Sequence, residues 1–497
     1  MTTHRRKSAF FRALVAAALL VCAALVVVLY SRSAPLSDLA NPLVLGSSTS
    51  STSSSDDAAD VDPDGENGGC NVNLDRLRAW NVNAKSELTS VQYSRIEITA
   101  SASKDFKQFP DRLDTSLPAY RQISLANKRD HFEILPNEAC DPHVHLHVPF
   151  NPSRADASHI LFGVATTITR LNESLEAFAH WSRGTGARII AVVEPDENKV
   201  LVRRRAEELG IHLQIFEDRA EYLDRYFSLV RVLFQQRTPD TKWVSFIDDD
   251  TFFPSMTNLV RRLDSYDASQ PQYIGALSED FAQMHVWGYM AYGGGGVFLS
   301  IPLLTTLNEV YPDCRKFTDT GDWRLARCIY TYTTTKFTWE RGLYQLDLHG
   351  DASGFYESGR PLPLSLHHWK SWFDADMVQM SAVSAVCGDA CLLRRWRLND
   401  DWFLVNGFSL IQYSSLLDDL LGMEETWDRS MTRKGNEFAF SLGPLRPKDT
   451  GKLSLRLKEA VVAKKVVRQY YLHEGDEETE AQVVEVVWRL NDDDSSM

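Results

Sequence analysis

Three adjacent carboxylates, Asp248, Asp249 and Asp250, stand where the apolar run Trp243 to Ile247 ends, in W-V-S-F-I-D-D-D-T-F-F. Like charges at the end of a buried strand repel one another, and a divalent cation is an economical way to offset them. Hard oxygen donors suit Mg²⁺ or Mn²⁺ rather than zinc. Alternation along an extended strand would send Asp248 and Asp250 to one side and Asp249 to the other. A solvated acidic turn is the competing reading. Downstream, Gly293, Gly294, Gly295 and Gly296 in M-A-Y-G-G-G-G-V-F-L-S lie between an aromatic segment and a helix predicted from near Ile301. Such a run permits positive φ and close approach of a ligand to the backbone, or is simply a flexible turn. In C-R-K-F-T-D-T-G-D-W-R-L-A-R-C, Asp319 and Asp322 open a helical pattern. An Asp there is either a helix cap or a general base that deprotonates an acceptor hydroxyl. His349 in L-D-L-H-G-D and His367 in P-L-S-L-H-H-W could each add a nitrogen ligand, or be structural.

The elements that must position these groups alternate. Ile160 to Ala165 is a short apolar strand ended by Thr166, and Asn172 to Trp181 carries apolar residues at helical spacing. Strand Arg188 to Val193, a charged helix over Lys199 to Leu209, strand Ile211 to Phe216, a helix over Glu221 to Gln236 and strand Trp243 to Ile247 follow. This alternation implies an α/β fold, a mostly parallel sheet with helices on both faces, whose ligands bind beyond the carboxyl ends of the strands. The acidic cluster is at such an end. After about residue 375 hydrophobic stretches recur without regular helices (Trp402 to Tyr413, Glu437 to Leu442, Val466 to Leu472, Val483 to Leu490), which reads as a β-rich C-terminal appendage.

The chain has 497 residues, 44% of them hydrophobic, enough for one full α/β core with appendages. A net charge of -14 with no basic block beyond the first residues argues against a nucleic-acid partner. At the N-terminus His4, Arg5, Arg6 and Lys7 precede an uncharged apolar stretch from Ala13 to Tyr30. Its length, its aromatic flanks and the lack of an A-x-A site favour a transmembrane signal anchor over a cleaved signal peptide, with the remainder lumenal. The expected division is a cytosolic tail 1–8, an anchor 9–30, a disordered Ser/Asp/Gly-rich stem 31–80, an N-terminal extension 81–157 packed on the catalytic domain, a catalytic domain 158–376 and a β-rich region 377–497. Apart from Cys22 in the anchor, six cysteines remain, an even set suited to an oxidising lumen. Local spacing pairs Cys314 with Cys328 and Cys387 with Cys391, leaving Cys70 with Cys140; zinc at Cys387 and Cys391 is the alternative. Asn172-Glu173-Ser174 is a glycosylation sequon, in keeping with a lumenal surface.

Taken in order, the D-D-D strand, I-G-A-L-S-E (Ile274 to Glu279), M-A-Y-G-G-G-G, G-D-W-R-L-A-R-C, L-H-G-D and S-L-H-H resemble the Fringe-like β-1,3-glycosyltransferases of the fungal and plant type, over roughly Ser158 to Asp376. The resemblance implies a GT-A fold, a type II anchor in the Golgi or ER, a UDP-sugar donor, Mn²⁺ or Mg²⁺, inversion at the anomeric carbon and a glycan or glycoprotein acceptor. It assigns Asp250, with Asp248, to the metal, Asp322 to the catalytic base, and one of two histidines to the metal, His349 in preference to His367. Asp249 and Thr166 join the donor side, and Glu279 with the glycine run lines the acceptor side. Two departures are Gly321, where the family usually has an acid, and Ala326, which replaces a common glycine. The rival functions are a non-catalytic chaperone or lectin-like module on the same fold and a metal-dependent phosphohydrolase.

Overall fold

The structure, a computed structural model, describes residues 70–80, 89–136, 138, 140, 144–150, 154–319, 321–373, 375–415, 422–428, 440–475 and 480–491. The expected anchor and residues 31–69 of the expected stem lie outside them. No helix among the described residues is long and apolar enough to cross a membrane.

From residue 160 strands and helices alternate as the hydrophobic pattern requires: β1 (Ile160–Thr166), α1 (Ile168–Ser182), β2 (Arg188–Val193), α2 (Lys199–Glu208), β3 (His212–Glu217), α3 (Tyr222–Gln236), β4 (Trp243–Ile247), α4 (Met256–Leu263), β5 (Tyr273–Ala276), α5 (Phe281–Trp287), β6 (Tyr292–Ser300), α6 (Ile301–Glu309), α7 (Tyr311–Cys314), α8 (Gly321–Tyr332) and β7 (Phe337–Trp339). They form one seven-stranded sheet in the order β7-β5-β6-β4-β1-β2-β3. β6 runs antiparallel to both its neighbours, and the other pairs are parallel. Alternate strand residues enter two cores. Ile160, Phe162 and Val164 of β1 pack with α1 and α4, whereas Leu161 and Ala165 pack with α3, α6 and α8. A strand buried on both faces must be apolar throughout, which is why β1, β2 and β4 read as continuous hydrophobic runs.

The N- and C-terminal regions share a second, nine-stranded sheet. Ser90–Ser103 lies parallel to Gln482–Asn491, from Gln92 opposite Gln482 to Ser101 opposite Asn491. The expected extension 81–157 and region 377–497 are therefore joined through one ladder, a long-range pairing that no local pattern reports. Leu453–Ala463, a strand absent from the sequence reading, supplies the partner of Val466–His473. Residues 70–80, expected in the stem, are ordered instead: helix Leu74–Ala79 buries Leu74 and Leu77, and Cys70 is bonded to Cys140. Cys314 is bonded to Cys328 and Cys387 to Cys391, with Cα atoms 5.4 and 5.8 Å apart.

Candidate active site

β4 ends at Ile247, and the chain turns at once. Thr251 N–H donates to Asp248 O at 3.1 Å, and Asp248 N–H donates to Thr251 Oγ1 at 2.9 Å. This tight turn, rather than an extended strand, is what separates the three carboxylates. Asp249 faces α1: Arg170 donates to it from Nε at 2.7 Å and Nη2 at 2.6 Å, the Thr166 hydroxyl also donates to it, and Lys370 Nζ is 3.4 Å away. Thr167 caps α1 by accepting from Arg170 N–H, which sets the guanidinium in the first turn. A cation there opposes the helix dipole, and Asp249 offsets it. Asp249 and Thr166, expected on the donor side, thus hold each other and the start of α1.

Asp248 and Asp250 face the other way, towards His367. Its Nε2 lies 3.0 Å from Asp250 Oδ1 and 3.4 Å from Asp248 Oδ2, while Nδ1 is 3.1 Å from the Gln345 carbonyl. A backbone acceptor at Nδ1 fixes the ring and presents Nε2 to the carboxylates, the usual support for a metal-binding histidine. Burial opposes an imidazolium at His367, but Asp250 and Asp248 outweigh it and raise its pKa well above the ordinary value. Burial likewise opposes ionisation of Asp250, and His367 more than compensates, holding that carboxyl well below its usual range. Asp250, His367 and His368 each offer a ligand atom, all within 4.8 Å of one another. Two carboxylates and an oriented imidazole fit a divalent cation of the Mn²⁺ type.

The peptide reaches this position by cross-bracing. Phe252 and Leu366 exchange backbone hydrogen bonds at 2.8 Å each, and Ser365 Oγ donates to Gly295 O at 2.6 Å. Glu279, expected on the acceptor side, is buried beneath: it accepts from Gln345 and Asp347 N–H at 3.1 Å each, so it positions the segment that orients His367. Burial, with Asp347 adding, pushes its pKa up to about 8. His349 does not join the carboxylates. Its ring stacks on Trp372 with centroids 4.5 Å apart, and Trp372 stacks on His368 at 3.6 Å.

The glycines are not a loop. They open β6, and at Gly293, Gly294 and Gly295 something occupies the place of a side chain. A Cβ on Gly294 would fall 2.1 Å from the His367 ring, one on Gly295 2.5 Å from Ala276 Cβ, and one on Gly293 2.8 Å from the Tyr226 hydroxyl. Gly294 O also accepts from Thr251 Oγ1 at 2.8 Å, tying β6 to the acidic turn. Gly296 has φ +93°. Gly293 N–H donates to Asp322 Oδ2 at 2.9 Å, so the candidate base and the candidate metal-binding histidine meet consecutive residues of one strand. Gly321 leads into Asp322 with φ +55°, a conformation that favours glycine over the acid expected there. Burial pushes the Asp322 pKa up to about 6; Asp248 and Asp347 add to this and the Gly293 amide opposes it. Asp319, in contrast, is paired with Arg327.

Tyr222, absent from the sequence reading, places its hydroxyl 3.4 Å from Asp248 Oδ1, and His368 lies 3.4 Å from Asp347. Adjacent H-H and L-D-L-H-G-D were visible; that their partners were each other was not. The sequon is mid-helix in α1: Asn172 accepts from Arg205, and the Ser174 hydroxyl is buried, so it is not the exposed loop a sequon suggests. A cavity of about 270 Å³ between β3, α3 and α8 includes Asp218, Asp224, Arg231 and Arg324 in its lining, but not Asp248, Asp249 or Asp250.

Residues 207–330 match the Fringe-like family model, and residues 283–387 match the protein of unknown function family DUF604. No curated protein matches the chain. Among solved structures, the chain is similar to the glycosyltransferase GlyE of Streptococcus pneumoniae TIGR4, with 15% identity and a TM-score of 0.30, covering 46% of this chain and 59% of that one. Mouse xyloside xylosyltransferase 1 gives 11% identity and a TM-score of 0.27, over 38% of this chain and 85% of that one. The galactosyltransferase LgtC, crystallised with donor and acceptor sugar analogues, gives 9% identity and 0.27, over 39% and 77%. At such scores these likenesses carry no argument about the site.

Proposed function

We propose that this chain, a Fringe-like glycosyltransferase, carries out a metal-dependent inverting transfer of a sugar from a UDP-sugar to a hydroxyl of a glycan or glycoprotein, forming a β-1,3-type linkage. One observation carries the reading: Gly293 holds Asp322 while Gly294 abuts His367, so a base and an acid-histidine cluster flank a single strand end. Asp248, Asp250 and His367 would hold Mn²⁺ or Mg²⁺, with His368 adjoining. When bound, that cation would neutralise charge developing on the diphosphate leaving group.

Asp322 takes the proton of the acceptor hydroxyl as its oxygen bonds to the anomeric carbon. The bond from that carbon to the diphosphate oxygen breaks on the opposite side, and the nucleotide leaves with the electron pair. A carboxyl with a pKa of about 6 is a carboxylate at neutral pH and a stronger base than an ordinary Asp. Single displacement needs no covalent intermediate. The GT-A reading is supported by the parallel strands whose carboxyl ends meet the acidic turn. A signal anchor at 9–30 and a Golgi or ER lumenal placement are part of the proposal, supported by the three disulfides.

The test is a panel of UDP-galactose, UDP-glucose, UDP-N-acetylglucosamine and UDP-glucuronate with and without Mn²⁺. Metal-dependent turnover of at least one donor is expected, with the product anomer inverted by NMR. A panel with neither turnover nor binding, together with an Asp250→Asn variant altered only in stability, would favour the non-catalytic module instead.

A further inference from the structure

Helix α5 (Phe281–Trp287) buries none of its residues. Val286 and Trp287 are 59% and 45% exposed, and Tyr289 just beyond is 61% exposed. Yet the helix is firmly held at both ends. Asp280 caps it through Ala282 N–H at 2.8 Å, Ser278 to Asp280 are buried, and the chain re-enters the core at Met290 after Gly288 turns with φ +101°. The exposed rings do not stand singly. Trp287 meets Trp323 of α8 edge to face, centroids 5.8 Å apart, and the Tyr330 hydroxyl donates to Tyr289 O at 2.8 Å. A contacting pair of indoles left open to water marks a binding face rather than a packing defect.

Its chemistry and place narrow the occupant. The sequence F-A-Q-M-H-V-W carries no Asp, Glu, Lys or Arg, which disfavours an anionic lipid surface or a nucleic acid. Flat indole faces beside the amide of Gln283 and the imidazole of His285 suit a pyranose, which offers one face of C–H groups and a rim of hydroxyls. Trp323 directly follows the candidate base Asp322, and these two neighbours of α8 contact Trp287 and Gly293, the two ends of one short segment.

We propose that Trp287 and Trp323 form an acceptor subsite for a sugar ring beyond the one that reacts, making the acceptor an oligosaccharide of at least two units. This rests on the glycosyltransferase reading above. The test uses the full chain with Mn²⁺ and UDP, titrated by tryptophan fluorescence and saturation-transfer NMR with mono- and tetrasaccharides of glucose, galactose, N-acetylglucosamine and mannose. At least one tetrasaccharide should bind about 10-fold more tightly than its monosaccharide. Trp287→Ala and Trp323→Ala should each abolish that preference, and Trp287→Tyr and Trp323→Tyr should restore most of it. Tetrasaccharides that bind no better than monosaccharides, or alanine variants that keep the preference, overturn the proposal. So does adsorption to phosphatidylserine vesicles or self-association that the alanine variants lose in place of sugar binding. UDP affinity of the unaltered chain is read in parallel. UDP binding without a sugar preference sinks this inference alone, whereas a sugar preference without UDP binding sinks the donor reading alone.

Discussion

Two clusters of charge are taken out of water in this chain, and they are built on opposite principles. In the nine-stranded sheet, Glu485 is met by Arg468 at 2.8 Å, by Arg95 at 3.0 Å and by the Tyr93 hydroxyl, with Glu97 joined to Arg489 at 3.0 Å. Burial opposes its ionisation, but Arg95 and Arg468 hold the Glu485 pKa at about 2. This network lies across adjacent strands, and of its members only Arg489 reaches water. At the end of β4, Asp248 and Asp250 share one histidine, Asp248 is half-buried, and Asp322 close by has its pKa raised rather than lowered. Closed charge is structural. Charge left with spare acceptor capacity on a glycine-lined strand end is poised to bind something.

That contrast can be broken most sharply by neutralising one carboxylate in each cluster. Asp250→Asn should lower transfer by about 10²–10³-fold, whereas Glu485→Gln should cost about 3–5 kcal/mol in denaturant unfolding because two buried arginines lose a partner. The stability supplied by Glu485 is fully present above the unfolded carboxylate pKa of about 4.3 and is lost as pH falls towards about 2. Gly294→Ala comes next: its methyl claims the place of the His367 ring and should raise the Mn²⁺ requirement about 100-fold. His367→Ala should raise that requirement about 10–100-fold, against less than about 3-fold for His349→Ala, as read by Mn²⁺ titration of the rate. The smallest effect is on the pH profile. Asp322 must be deprotonated to act, so the rate should be level above about pH 6 and fall about tenfold per unit below it, where an ordinary Asp would hold the rate down to about pH 4.

Much of the α/β region was legible because its strands are buried on both faces and its helices on one. β2 and β4 begin and end where their apolar runs do, and the acidic cluster, the glycines and Asp322 were each noticed in order. What stayed hidden were relations set by distant segments. His367 outranks His349 only because Leu366 pairs with Phe252 and Gln345 fixes the ring. Glu279 and Asp249 were noticed as acids, but their roles as braces depend on the amides of 345–347 and on Arg170. A glycine run is locally as compatible with a flexible turn as with close approach, and here it is the lack of side chains that lets His367, Ala276 and Tyr226 approach a central strand. The pairing of Ser90–Ser103 with Gln482–Asn491 spans nearly the whole described chain, beyond the reach of periodicity.

The most direct measurement is calorimetric titration of UDP into the chain with Mn²⁺ or with chelator, repeated on Asp250→Asn. The site described here predicts UDP binding that needs the metal and falls at least about 100-fold in the variant. UDP binding of equal strength without metal and in the variant would contradict it.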